Sequence, residues 1–101
     1  MINSVTIAGY LGSQPELMFV GEDQVEVCNM SIAVQTGKDK TLWVKVTAWK
    51  KTAVFCADYL KAGSFIVVSG RLDNEVWQDA DGSKKQQMKV IAEAVQSPKT
   101  K

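Results

Sequence analysis

The chain has 101 residues, 46% hydrophobic and 23% charged, with a net charge of +1, so it is one domain that buries about two-thirds of its unfolded surface without a disulfide or metal staple. That composition excludes a disordered chain, and no apolar run approaches membrane-spanning length. Histidine is absent and the two cysteines, Cys28 and Cys56, form no CxxC pair, which removes zinc-type clusters and the Ser-His and Cys-His nucleophile arrangements. No metal, no cofactor and no enzymatic activity are expected. The thiols read as buried and reduced, with a redox role as the lesser reading.

The opening MINSVTIAGYLG lacks a basic region followed by a continuous apolar block, so it reads as the first strand of a cytoplasmic protein and not as a secretory signal. From Asn3 to Leu11, Val5, Ile7, Gly9 and Leu11 alternate with Ser4, Thr6, Ala8 and Tyr10, the last read as a strand-edge tyrosine, with stacking as the lesser reading. Gly9 and Gly12 mark a sharp bend or a close backbone approach, as a tightly coiled small barrel requires. Leu17 to Val20 is a short apolar piece, with Phe19 placed in the core, and Gly21-Glu22-Asp23 is a turn. A second strand is predicted over Val25 to Gln35. Asn29 and Ser31 face outward there, and the apparent parity change near Cys28 suggests a bulge.

After the lysine-tipped loop TGKDK comes the central strand, Thr41 to Lys51. Trp43, Lys45, Thr47 and Trp49 fall on one face and Val44, Val46 and Ala48 on the other, which reads as core. Two tryptophans on the face that also carries a lysine imply a flat, anionic ligand, and single-stranded nucleic acid fits. A helix is predicted over Thr52 to Ala62 from Ala53, Cys56, Ala57 and Leu60, with Gly63 as its stop. Phe55 and Tyr59 are assigned to core or flank packing. A long strand from Ser64 to Trp77 bends at Gly70, Asp79 to Ser83 makes a hairpin turn, and Lys84 to Val95 returns across it. Residues 97–101 read as a frayed tail after a domain of residues 1–96.

Three strands, a helix and two strands, joined as hairpins except at the helix, give the expected fold class: all-β, a five-stranded antiparallel OB-fold barrel with one α-helix between strands three and four. Charge is uneven along it. Lys38, Lys40, Lys45, Lys50 and Lys51 are set against Asp39 alone, whereas from Arg71 to Asp81 the balance reverses, with Asp73, Glu75, Asp79 and Asp81 against one arginine. The basic region, with Arg71 and the Lys84-Lys85 pair, is the candidate phosphate contact.

Several blocks in order resemble the bacterial single-stranded DNA-binding (SSB) proteins. NSVTIAGYLGSQPEL looks like that family's N-x-V-x-L-x-G-x-L-G-x-D-P-E opening, TLWVKVTAW like its T-E-W-H-R-V-x-x-[FW], ADYLKAGSFIVVSGRL like its E-Y-L-x-K-G-x-x-V-x-[VI]-E-G-x-L, and VWQDADGSK like its third-aromatic hairpin. The resemblance implies base stacking on Trp43, Trp49 and Trp77 and phosphate contacts from Lys45 and Lys51. It also implies a homo-oligomer, a tetramer in preference to a dimer. Met18 and the run Asp73 to Val76 stand where the family has basic residues, Val44 where it often has a histidine at subunit contacts, and no aromatic lies between Ile32 and Leu42. The chain ends at Lys101 without the linker and acidic tip through which many members recruit replication and repair proteins, so those partners are expected only of a form carrying that tip. The alternative is a PriB-like replication-restart protein acting mainly through protein partners. An OB-type nuclease is discounted, because the carboxylates sit mainly in turns.

Overall fold

The computed structural model describes residues 1–98. Its strands are β1 (Val5–Leu11), β2 (Glu16–Val20), β3 (Val25–Gly37), β4 (Lys40–Trp49), β5 (Phe65–Gln78) and β6 (Lys84–Gln96), with one helix, α1 (Lys50–Tyr59), between β4 and β5. The strands pair in the order β1-β5-β6-β4-β3-β2, and β1 also pairs with β3. That last pairing closes a five-membered ring, and the chain has the OB-fold.

The ring departs from the sequence-based expectation in two ways. The apolar piece at Leu17 to Val20 is itself a strand: β2 lies along the first half of β3, from Glu16 opposite Asn29 to Val20 opposite Val25, while the end of β1 lies along the second half. Together β1 and β2 make one wall interrupted at Gly12 to Pro15. The second departure is that β4 and β6 pair in parallel, at Val46↔Val90 and Thr47↔Ile91, because α1 carries the chain over the barrel end before the β5–β6 hairpin begins.

Ile32, Val46, Ile66, Val68 and Val90 fill the barrel, and Ala53, Cys56 and Leu60 of α1 close its end. Val46 and Ala48 of β4 point into this core and Val44 packs against it, as their alternation predicts. On β3 the even set Cys28, Met30 and Ile32 is buried in unbroken register with β4 from Val27 to Gln35. No bulge occurs at Cys28; the irregularity falls between Gln35 and Gly37. Val27 had suggested a parity change, but it is buried on the outer face, opposite Met18 and Trp49. Burial pushes the Cys28 thiol up and the Cys56 thiol to about 12, so both stay protonated at neutral pH and are poor nucleophiles.

Two glycines are required by close approach. A Cβ on Gly9 would collide with the carbonyl oxygen of Ala33, and one on Gly70 with that of Ile91. The β5–β6 register shifts between Ser69 and Gly70, which is the predicted bend. Beyond Leu72, residues 73–78 and 84–89 pair only with each other, as a two-stranded ribbon leaving the barrel. The molecule is accordingly elongated, 47 Å along its major axis.

The helix begins and ends earlier than its apolar spacing suggests. Lys50 and Lys51 belong to its first turn and not to the end of β4, and Leu60 is already extended. Gly63, with φ of 88°, turns the following loop instead. One aromatic placement is also corrected: Phe19 is exposed, on the outermost strand. Phe55 and Tyr59 pack on each other on the solvent side of α1 with centroids 5.2 Å apart, which is flank packing and not core. Of the predicted tail, Ser97 hydrogen-bonds through Oγ to the Phe65 carbonyl at 3.1 Å, and residues 99–101 lie outside the described residues.

Candidate nucleic-acid interface

The outer face of β3 and β4 is a sequence of cross-strand pairs: Val27 opposite Trp49, Asn29 opposite Thr47, Ser31 opposite Lys45 and Ala33 opposite Trp43. Directly opposed residues point to the same face. Each large side chain on β4 therefore stands beside a smaller one on β3, leaving an open floor along the strip. Thr47 is buried within it, its hydroxyl donating to Asn29 Oδ1 at 2.8 Å.

Trp43 is 60% exposed and Trp49 41%, so neither ring is a core residue. At the strand rise of about 3.3 Å they stand some 20 Å apart along β4, too far to share one base. The Trp43 ring lies over the backbone of Gly12, where an added Cβ would come within 2.6 Å of Cζ3. Trp49 sits at the junction of β4 and α1 and lines an open concavity of about 550 Å³ with Asp23, Val25, Glu26, Lys50, Lys51 and Thr52. Lys50 there adopts φ of 57°, the left-handed region that lysine enters only at a cost of about 1 kcal/mol. The first turn of α1 holds these two lysines and no acidic residue. Positive side chains at the positive end of a helix are unfavourable unless an anion joins them.

Lys45, between the two tryptophans, is not a free cation. Its Nζ lies 2.7 Å from Glu75 Oε2, and Lys89 Nζ lies 3.8 Å from Oε1 of the same carboxylate. The hydrogen bond from Lys45 is the main reason the Glu75 carboxyl is held below its ordinary range, with both lysine charges adding to it. This cluster joins β4, β5 and β6 and ties the ribbon to the barrel.

Trp77, 41% exposed, lies on the ribbon opposite Lys85. Asp79 holds both: it accepts from Trp77 Nε1 at 3.1 Å and lies 3.9 Å from Lys85 Nζ. Asp81 accepts from the Ser83 backbone N–H at 2.9 Å in the turn, which lowers its pKa. These carboxylates have structural work, as their place in a turn suggests.

The remaining candidates divide. Lys38 and Lys40 are exposed at the β3–β4 hairpin, next to the end of the strip that carries Trp43. Arg71 is engaged with Glu93 at 3.3 Å. Lys84 lies opposite Gln78, on the other side of the ribbon from Trp77 and Lys85. Two participants were not singled out by sequence reasoning, Lys89 and the tethering role of Glu75. Their only sequence signal is charge of opposite sign on strands whose mutual register is invisible before folding.

Fold and site together define an OB barrel with an aromatic and basic outer face. The chain belongs to the Single-strand binding protein family, whose pattern matches residues 2–98. It is 33% identical to Single-stranded DNA-binding protein 1 of Clostridium acetobutylicum, covering 99% of this chain and 96% of that one. It is 30% identical to the Single-stranded DNA-binding protein of Caldanaerobacter subterraneus and 31% identical to Single-stranded DNA-binding protein 1 of Chlorobaculum tepidum, each alignment covering 94% of this chain. The chain spans 67% and 64% of those two proteins.

Proposed function

We propose that this protein binds single-stranded DNA without sequence preference, stacking bases on Trp43, Trp49 and Trp77 and meeting phosphates with its lysines. The observation that carries this reading is the outer strip of β3 and β4, where two exposed indoles flank a floor of smaller side chains. Every base has a π-face, so such a surface accepts any sequence, at about 1 to 3 kcal/mol per stacked base. Lys38, Lys40, Lys50 and Lys51 supply the salt-dependent part, with Lys85 beside Trp77. Lys45 contributes less than its position suggests, because Glu75 already neutralises it. The names of the relatives support the same ligand.

The cellular role proposed is protection of single strands in the cytoplasm, at the nucleoid, during replication, recombination and repair. A homo-oligomer, a tetramer by preference, is part of the proposal, since one OB domain offers a short path for the strand. Adding oligo-dT should quench tryptophan fluorescence at low salt, whereas duplex of equal length should bind far more weakly. Absence of quenching, or equal affinity for duplex, would overturn the reading. Light scattering of the full chain tests the assembly separately.

A further inference from the structure

We infer that Tyr10, backed by Phe65, is a fourth base-stacking position, set two strands along the sheet from Trp43. The inference rests on the single-strand reading above and lengthens its path. Phe65 stands opposite Tyr10, Tyr10 opposite Ala33, and Ala33 opposite Trp43. Because opposed residues share a face, these four side chains form one row over β5, β1, β3 and β4. Three are aromatic, and the fourth is only a methyl group. With neighbouring strands about 4.8 Å apart, Tyr10 and Trp43 stand roughly 10 Å apart across the sheet, with Ala33 as the gap between them.

Tyr10 is held but not covered. Its ring centroid is 5.1 Å from that of Phe65 at an interplanar angle of 60°, an edge contact that orients the ring, and yet the residue is 57% exposed. A tyrosine used only for packing would be shielded by its neighbours. Instead Ala8, Tyr10, Ala33, Gln35, Thr41 and Phe65 line an open concavity of about 400 Å³. On its far side Gln35 and Thr41, themselves opposed in register, lead into the β3–β4 hairpin that carries Lys38 and Lys40. A flat ring, an amide, a hydroxyl and two cations suit a base and its phosphate on a strand running on from Trp43. The hairpin has no aromatic residue of its own between Ile32 and Trp43, so Tyr10 is the ring available to that segment.

The test is a titration of wild type, Tyr10→Ala and Tyr10→Phe with oligo-dT of increasing length over a salt series. It is accompanied by photo-cross-linking of wild type to 5-iodouracil-substituted oligonucleotide, read by peptide mass spectrometry. Tyr10→Ala should weaken binding of the longer oligonucleotides about fivefold or more, with the salt slope unchanged because a ring and not a charge is lost. Tyr10→Phe keeps the ring and should recover most of that loss, and the wild type should cross-link at Tyr10. Binding by Tyr10→Ala within twofold of wild type, with cross-links confined to the tryptophan-bearing peptides, would overturn the inference and leave the single-strand reading standing. A wild type that does not bind oligo-dT overturns that reading instead. Thermal unfolding checks that Tyr10→Ala is folded, and if it is not, the wild-type cross-link decides.

Discussion

Trp43 and Trp49 stand on β4, paired with β3 along most of its length and backed by Val46 and Ala48 in the core, whereas Trp77 stands on a two-stranded ribbon that has left the barrel beyond Leu72. Position comes from a different source in each case. On β4 the packed core fixes the strand, and burial of each large aliphatic side chain contributes about 1.5 to 3 kcal/mol. A ribbon of two strands is marginal by itself, so Trp77 depends on the Lys45–Glu75–Lys89 cluster at its base and on Asp79 at its tip. Charge is distributed in the same sense. Residues 38–51 carry five lysines against Asp39 alone, residues 71–89 carry four cations against four carboxylates, and the central region lends Lys45 to anchor the ribbon.

The comparison can be broken most severely at the junction. Gly70→Ala should drive a Cβ into the Ile91 carbonyl and cost about 2 to 3 kcal/mol. In a domain of this size that lowers Tm by 10 °C or more, read by calorimetry or circular dichroism. Next come the rings. Under the proposed function, Trp43→Ala and Trp49→Ala should each weaken oligo-dT binding by about 2 to 3 kcal/mol, and Trp77→Ala by about 1, since part of the energy on the ribbon is spent ordering it. Equal losses at all three would mean that the ribbon is as rigid as the barrel.

A smaller effect separates charge from support. Glu75→Gln releases Lys45 and Lys89, so the dependence of log K on log salt should steepen by about 0.7 for each lysine that finds a phosphate. Tighter binding at low salt should accompany it. An unchanged slope would mean that the cluster only supports the ribbon. The smallest effect is on stability. Because the folded Glu75 carboxyl lies below its ordinary value, its contribution is fully present above about pH 4.3 and is lost as the pH falls through the lower folded value. With both partners one-third exposed, that contribution is about 0.5 kcal/mol. The Tm difference between wild type and Glu75→Gln should be small at pH 7 and shrink as the pH falls below about 4.3.

Much of this was legible residue by residue. The alternation of Thr41 to Lys51 gave both faces of β4, Gly70 its bend, and Asp79 to Ser83 its turn, because each is a local property of a few adjacent residues. Phe19 was misplaced because hydrophobicity says that a side chain prefers burial, not that a neighbour is present to cover it. The supposed bulge at Cys28 failed for a related reason: Val27 has the outward parity and is buried by what stands opposite it on β2 and β4. Lys50 moved from strand to helix through a left-handed turn that lysine is not expected to make.

By itself, then, the sequence determined that two tryptophans and a lysine share an outward face, that one helix interrupts a set of strands, and that a turn ends the ribbon. The tertiary structure alone decided which residues stand opposite one another. Glu75 neutralises a lysine thirty residues away, and Tyr10 falls into one row with Phe65 and Trp43, because register between strands is set by the packing of the whole barrel core and by no single segment.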